Sequence, residues 1–373
     1  ALEAAFPGNF SGTVPITNRY TFTNTRQLRF SWQLVDFRRP SDGRTGHHIS
    51  ARADIASPDI APGGQGVLRL KLPTSWRRAD ALILTVRDSA GEEIVSWTWT
   101  ITTAADQARR IVRPARSGRT TATEDASGFT LTAGGTVVTI DRATGRLSSV
   151  QADGTAVSLA NGPAPAVGTA TLTGITSAAD GTAHTVTASY TGGLDAVTWR
   201  LHANGWLQLD YRYTLTGAHP FFGVTFDYPE ANVTGMKWLG DGPYRVYKNR
   251  LRGFPTDVWS KKYNDTRTGT DFWEYPEFKG YHADVFWAQV QTKQAPITVV
   301  AADEDLFLRM LTPTLGWDPR GSAVPFPAGD ISFLDAIPAV GTKFDPPTNL
   351  GPRSQPTQAT GGYARTLFFR FGD

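Results

Sequence analysis

The residues best able to do chemistry lie between positions 245 and 282. Glu274 and Glu277 are the nearest approach to a carboxylate pair. A retaining glycosidase needs two carboxyls about 5–5.5 Å apart. Pro276 stands between these two, which argues against a helical pairing and against a self-contained catalytic pair. A second chemistry is available a few residues on. Tyr281 and His282 follow Lys279, and Arg245 lies upstream. A polysaccharide lyase needs a cation to neutralise a uronate carboxylate and a base to remove the adjacent proton. The structural reading stands beside it: a lone histidine in a β-protein is more often a hydrogen-bonded support.

The stretch GDGPYRVYKNRLRG, residues 240–253, sets Arg245, Lys248, Arg250 and Arg252 within eight residues, with no acid among them. Asn249 adds an amide, and Tyr244 and Tyr247 are interleaved. Residues 238–287 hold thirteen aromatics, among them Trp273, Tyr275 and Tyr281, a fraction more than twice the chain's 11%. Aromatic faces stack on sugar rings, and an arginine fork matches a carboxylate. This composition points to a glycan-binding surface made of Tyr244, Arg245, Lys248, Asn249, Arg250, Trp273, Glu274, Glu277, Lys279 and His282. The competing reading makes the aromatics sandwich core, with Asp241, Glu274 and Glu277 neutralising the cations.

Other candidates are weaker. His47 and His48 are adjacent, so on a strand they face opposite ways. Asp303, Glu304 and Asp305 lack the spaced oxygens of a calcium loop. No phosphate-cradling glycine loop and no nucleophile elbow occurs. No cofactor and no metal is expected.

The elements that must position these residues read as strands. RQLRFSWQL places Leu28, Phe30, Trp32 and Leu34 on one face. VLRLKLP and GWLQLDYRYTLTG repeat the alternation, and the chain closes on ARTLFFRFG. Period two in short runs, with turn signals between them, predicts β-sandwiches. No helix of three turns is expected. Residues 1–104 suit an immunoglobulin-like sandwich of about seven strands. Residues 105–124 contain RRIVRPARSGRT, with five arginines and no acid, and read as a solvated linker. Residues 125–373 read as a large two-sheet sandwich.

The net charge of +3 does not suggest a nucleic-acid partner. No apolar run approaches the roughly 20 residues of a membrane helix, so no membrane partner is expected. Without cysteine there is no disulfide, and the compartment stays open; a secreted or periplasmic setting is favoured if the substrate is a polysaccharide. The opening ALEAAFPGNF reads as a processing point or a boundary within something larger.

The order of a small sandwich, a linker and a large sandwich carrying TIDRATGRLSSVQADG and MKWLGDGPYRVYKNRLRG resembles the C-terminal part of glycoside hydrolase family 2 β-galactosidases, including the small chain. The hallmark turn W-x-G-x-G-P-x-x-x-Y-x-x-R matches Trp238, Gly240, Gly242, Pro243, Tyr247 and Arg250. The resemblance implies an all-β fold: an immunoglobulin-like module followed by a galactose-mutarotase-like supersandwich. It also implies a glycan ligand, and a catalytic (β/α)8 barrel on another chain or segment, since no β/α alternation exists here. In that family a late loop lends a tryptophan to the sugar site, and Trp317 is the nearest candidate. The turn departs from the family where an acid and an asparagine are usual: Arg245 and Val246 stand there, which turns the expectation from a neutral galactoside towards an acidic glycan. The alternatives are an autonomous lyase or mutarotase-like enzyme on a uronate-containing glycan, with His282, Tyr281 and Arg245 catalytic, and a structural assembly module.

Overall fold

The computed structural model describes residues 2–7, 10, 12–114, 117–264, 276–313 and 324–372. These form two compact units. The first contains residues 1–39, 44–103 and 255–258, and the second residues 40–43, 104–254 and 259–373.

In the first unit the alternation read from sequence is realised. Phe30, Trp32 and Leu34 of the strand Arg29–Phe37 are buried, while Arg29 is exposed and Ser31 and Gln33 are half-buried. This strand lies between His47–Ile55 and Ala81–Arg87 in a four-stranded sheet completed by Glu93–Thr100. A three-stranded sheet, Leu2–Ala4, Thr13–Asn18 and Gln65–Arg69, lies opposite. Val14, Ile16 and Leu68 from one sheet share a single apolar cluster with Trp32, Leu82 and Leu84 from the other. Each sheet hides its apolar face on the other, as sandwich packing requires.

The second unit repeats the principle with sheets of ten and nine strands among the described residues. The long strand Leu207–His219 buries Leu207, Leu209, Tyr211 and Tyr213 on one face. It pairs along its whole length with Thr357–Phe371, whose other edge takes Ile297–Ala301. The C-terminal strand therefore sits inside the nine-stranded sheet. One edge of that sheet is Ala170–Asp180, an eleven-residue strand with one charged residue, Asp180, at its end. The ten-stranded sheet covers this core with Phe226 and Phe333, whose rings meet edge-on.

The segment expected as a linker contains an α-helix, Ala104–Ile111, of just over two turns. Its Ala104, Gln107 and Ala108 are buried, at the i, i+3, i+4 spacing of one helix face. Asp106 in the first turn and Arg109 and Arg110 in the last suit the helix dipole. Glu304 accepts a hydrogen bond from the Ala104 amide at 2.6 Å, satisfying one donor that the first turn leaves open. Two of the arginines that made this segment look fully solvated, Arg109 and Arg110, stand in the last turn of a half-buried helix.

Candidate functional site

The strand Val233–Asp241 leads directly into the basic turn. Its end is buried on both faces, and its glycines are demanded by contact. A β-carbon on Gly242 would lie 2.4 Å from Trp259 Cδ1, closer than side chains approach. The Trp259 indole donates to the Gly240 carbonyl at 3.1 Å, so the ring clamps the backbone over which it lies. The Gly242–Pro243 peptide is cis. Beyond it, the Val246 amide donates to the Tyr281 carbonyl at 2.7 Å, which ties the turn to the short strand Gly280–His282.

Arg245 and Glu277 form an ion pair at 3.1 Å, with side chains 10% and 9% exposed. A second donor of Arg245 reaches the Lys279 carbonyl at 3.4 Å. Gly280 makes this possible: its φ is +127°, and a β-carbon there would lie 3.0 Å from Arg245 Cδ. Lys279 is itself buried and pairs with Glu230. Glu230 also accepts from the Tyr263 hydroxyl at 2.6 Å, and Lys279 Nζ lies 5.7 Å from the centre of the Tyr263 ring. The cations are thus neutralised in a chain Arg245–Glu277 and Lys279–Glu230–Tyr263. Sequence reasoning proposed Glu277 for this duty but missed Glu230 and Tyr263, which lie on separate segments with no local signal joining them.

His282 is 1% exposed. Its ring meets Trp238 edge-on at 5.0 Å, and neither ring nitrogen has a hydrogen-bond partner among the described residues. Burial pushes its pKa down to about 4; the nearby Phe278 backbone opposes this slightly, and the Arg245 charge adds to it. The ring is neutral at pH 7. Tyr281 is fully buried, stacks on Phe326 at 4.8 Å, and donates to the Pro325 carbonyl at 2.7 Å. Burial pushes its hydroxyl up.

Lys248 and Asn249 turn towards the loop before the last strand. Lys248 Nζ donates to the Gln355 carbonyl at 2.7 Å. Asn249 donates to the Val340 carbonyl and the Ser354 hydroxyl, both at 2.9 Å, and accepts from the Val340 amide at 3.1 Å. Tyr244 is 44% exposed, with its ring against Phe254, and Arg250 is exposed. The structure brings Arg245, Glu277, Lys279, Tyr281 and His282 together inside the corner, while Tyr244 and Arg250 face solvent. Trp273, Glu274 and Trp317 lie outside the described residues.

The remaining candidates are absorbed locally. His47 lies 2.9 Å from Asp257 within the first unit. Asp303 accepts from the Thr366 amide at 2.6 Å, and Glu304 from the helix as above. Among the described residues no group of three or more His, Asp or Glu could hold a metal ion, and no helix is long and apolar enough to cross a membrane.

Two stacked β-sheets carrying a glycine-clamped, ion-paired aromatic corner define the second unit as a large all-β sandwich. Residues 167–331, which include the whole turn from Trp238 to Arg250, match the family model described as beta galactosidase small chain. The resemblance read from the turn holds over that stretch. Among solved structures, the chain is similar to a galactose 1-epimerase from Lactobacillus acidophilus NCFM, with 11% identity, 69% of this chain and 100% of that chain covered, and a TM-score of 0.38. No curated protein matches the chain.

Proposed function

We propose that this chain is the C-terminal portion of a β-galactosidase-like glycoside hydrolase, with a sugar-binding role and with its catalytic carboxylates on a (β/α)8 barrel in another chain or segment. The observation that carries this is the match of residues 167–331 to the β-galactosidase small chain. In this reading the buried residues Arg245, Glu277, Lys279 and His282 are positioning residues that stiffen the corner. Ligand contact falls to the outward Tyr244 and Arg250, the first through its ring face and the second through its fork.

The experiment is affinity electrophoresis of the chain in gels of neutral and acidic polysaccharide, with parallel assays for reducing ends and for the absorbance of an unsaturated uronate. The expected result is retardation without release of either product, and weaker retardation for Tyr244→Ala and Arg250→Ala at unchanged melting temperature. Release of reducing ends would move catalysis into this chain, and unsaturated product would make it a lyase.

A second reading, a structural assembly module without glycan contact, is favoured by one observation: the Arg245 and Lys279 cations are both buried against carboxylates. It predicts no retardation in any gel.

A further inference from the structure

A cavity of about 360 Å³ lies elsewhere in the second unit, beside the helix Ala104–Ile111. This is within the ~300–1,000 Å³ typical of small-ligand pockets. Its walls are mainly apolar: Ala105, Ala108 and Val112 on the helix side, Phe368 from the strand Thr357–Phe371, and Ala302 just after the strand Ile297–Ala301. Its polar lining comes from His202, Asn204, Gln208, Arg109 and Arg113.

Most of these polar groups are already committed. Asn204 donates to the Arg113 carbonyl at 2.5 Å and accepts from the Trp206 amide at 3.4 Å. Arg109 pairs with Asp106. The Gln208 amide nitrogen donates to Asp210 at 2.8 Å, so its oxygen is the atom facing His202 Nε2 at 3.0 Å. That oxygen can only accept, so His202 Nε2 carries the proton. Burial of His202 favours its neutral form, which leaves Nδ1 as a hydrogen-bond acceptor. Two groups of the lining then have no hydrogen-bond or ion-pair partner among the described residues at the atom in question, His202 Nδ1 and the guanidinium of the exposed Arg113.

We infer that this cavity binds a small hydroxylated aromatic carboxylate. The ring would lie against Phe368 and the alanine wall, the hydroxyl would donate to His202 Nδ1, and the carboxylate would pair with Arg113. A free sugar fits poorly, because several ring hydroxyls would face the apolar walls, and each unpaired hydroxyl costs free energy. The site is independent of the glycan reading, sharing no residue with the turn.

The test is isothermal titration of the full chain with 4-hydroxybenzoate, benzoate, 4-hydroxybenzyl alcohol and glucuronate. The expected result is that 4-hydroxybenzoate binds, that removing either polar group weakens binding, and that Arg113→Gln weakens it about tenfold, the scale of one charge-assisted hydrogen bond. Val112→Trp, which fills the cavity, should abolish binding. If Val112→Trp fails to fold by circular dichroism, Arg113→Gln, altered at an exposed side chain, decides alone. No binding by the unaltered chain, binding indifferent to Arg113→Gln, or glucuronate binding as tightly as 4-hydroxybenzoate would each overturn the proposal.

Discussion

A neutral imidazole sealed beside Trp238 makes stability depend on pH. Above pH 6.5, the ordinary value for histidine, neither folded nor unfolded His282 carries a proton. Between 6.5 and about 4 the unfolded chain takes one that the folded ring refuses. Stability from this residue is therefore complete above 6.5 and falls as pH drops towards 4, by about 3 kcal/mol in all. Urea unfolding at pH 7.5 and 5.0 should show the loss, and His282→Phe should flatten it. Charge pairing in the corner gives a second residue-scale expectation. Glu277→Gln leaves Arg245 buried without its carboxylate and should cost about 3 kcal/mol. Replacing both, as Arg245→Met with Glu277→Leu, should cost less than the single change, read as a double-mutant cycle in urea midpoints. These roles were only half legible in the sequence. Clustered cations and Glu277 were visible, but Glu230 and Tyr263 come from distant positions, and burial of His282 depends on a sheet that no local pattern predicts.

At the scale of the element, the turn is held by missing side chains. Gly242→Ala would drive a methyl into the Trp259 ring and should cost about 1–3 kcal/mol, seen as a lower melting temperature and altered near-ultraviolet circular dichroism. Gly280→Ala adds backbone strain at φ +127° and should act in the same direction. The strands themselves were readable because period two is enforced wherever one face is buried. Leu207 to Tyr213 and Phe30 to Leu34 announce their inward faces without help. The helix Ala104–Ile111 was not readable, because five arginines in the segment hid the spacing of Ala104, Gln107 and Ala108, and because its capping carboxylate, Glu304, is 200 residues away. Trp273 was singled out from local aromatic composition, Glu274 as a possible partner of Glu277, and Trp317 from the family resemblance; all three lie outside the described residues.

For the whole molecule, the long outer strand Ala170–Asp180 is an exposed sheet edge without internal charge. Such edges invite pairing with other chains. Thr176→Lys, at an exposed position, should slow aggregation on mild heating, measured by light scattering, while leaving the melting temperature nearly unchanged. The place of Thr357–Phe371 between Leu207–His219 and Ile297–Ala301 reaches beyond equilibrium stability. During synthesis, two partial sheets must wait with open flanks until this segment leaves the ribosome and zips between them. Nascent chains of this protein should therefore need holding by chaperones until this segment has emerged, and a product lacking these residues should remain protease-sensitive throughout its larger unit.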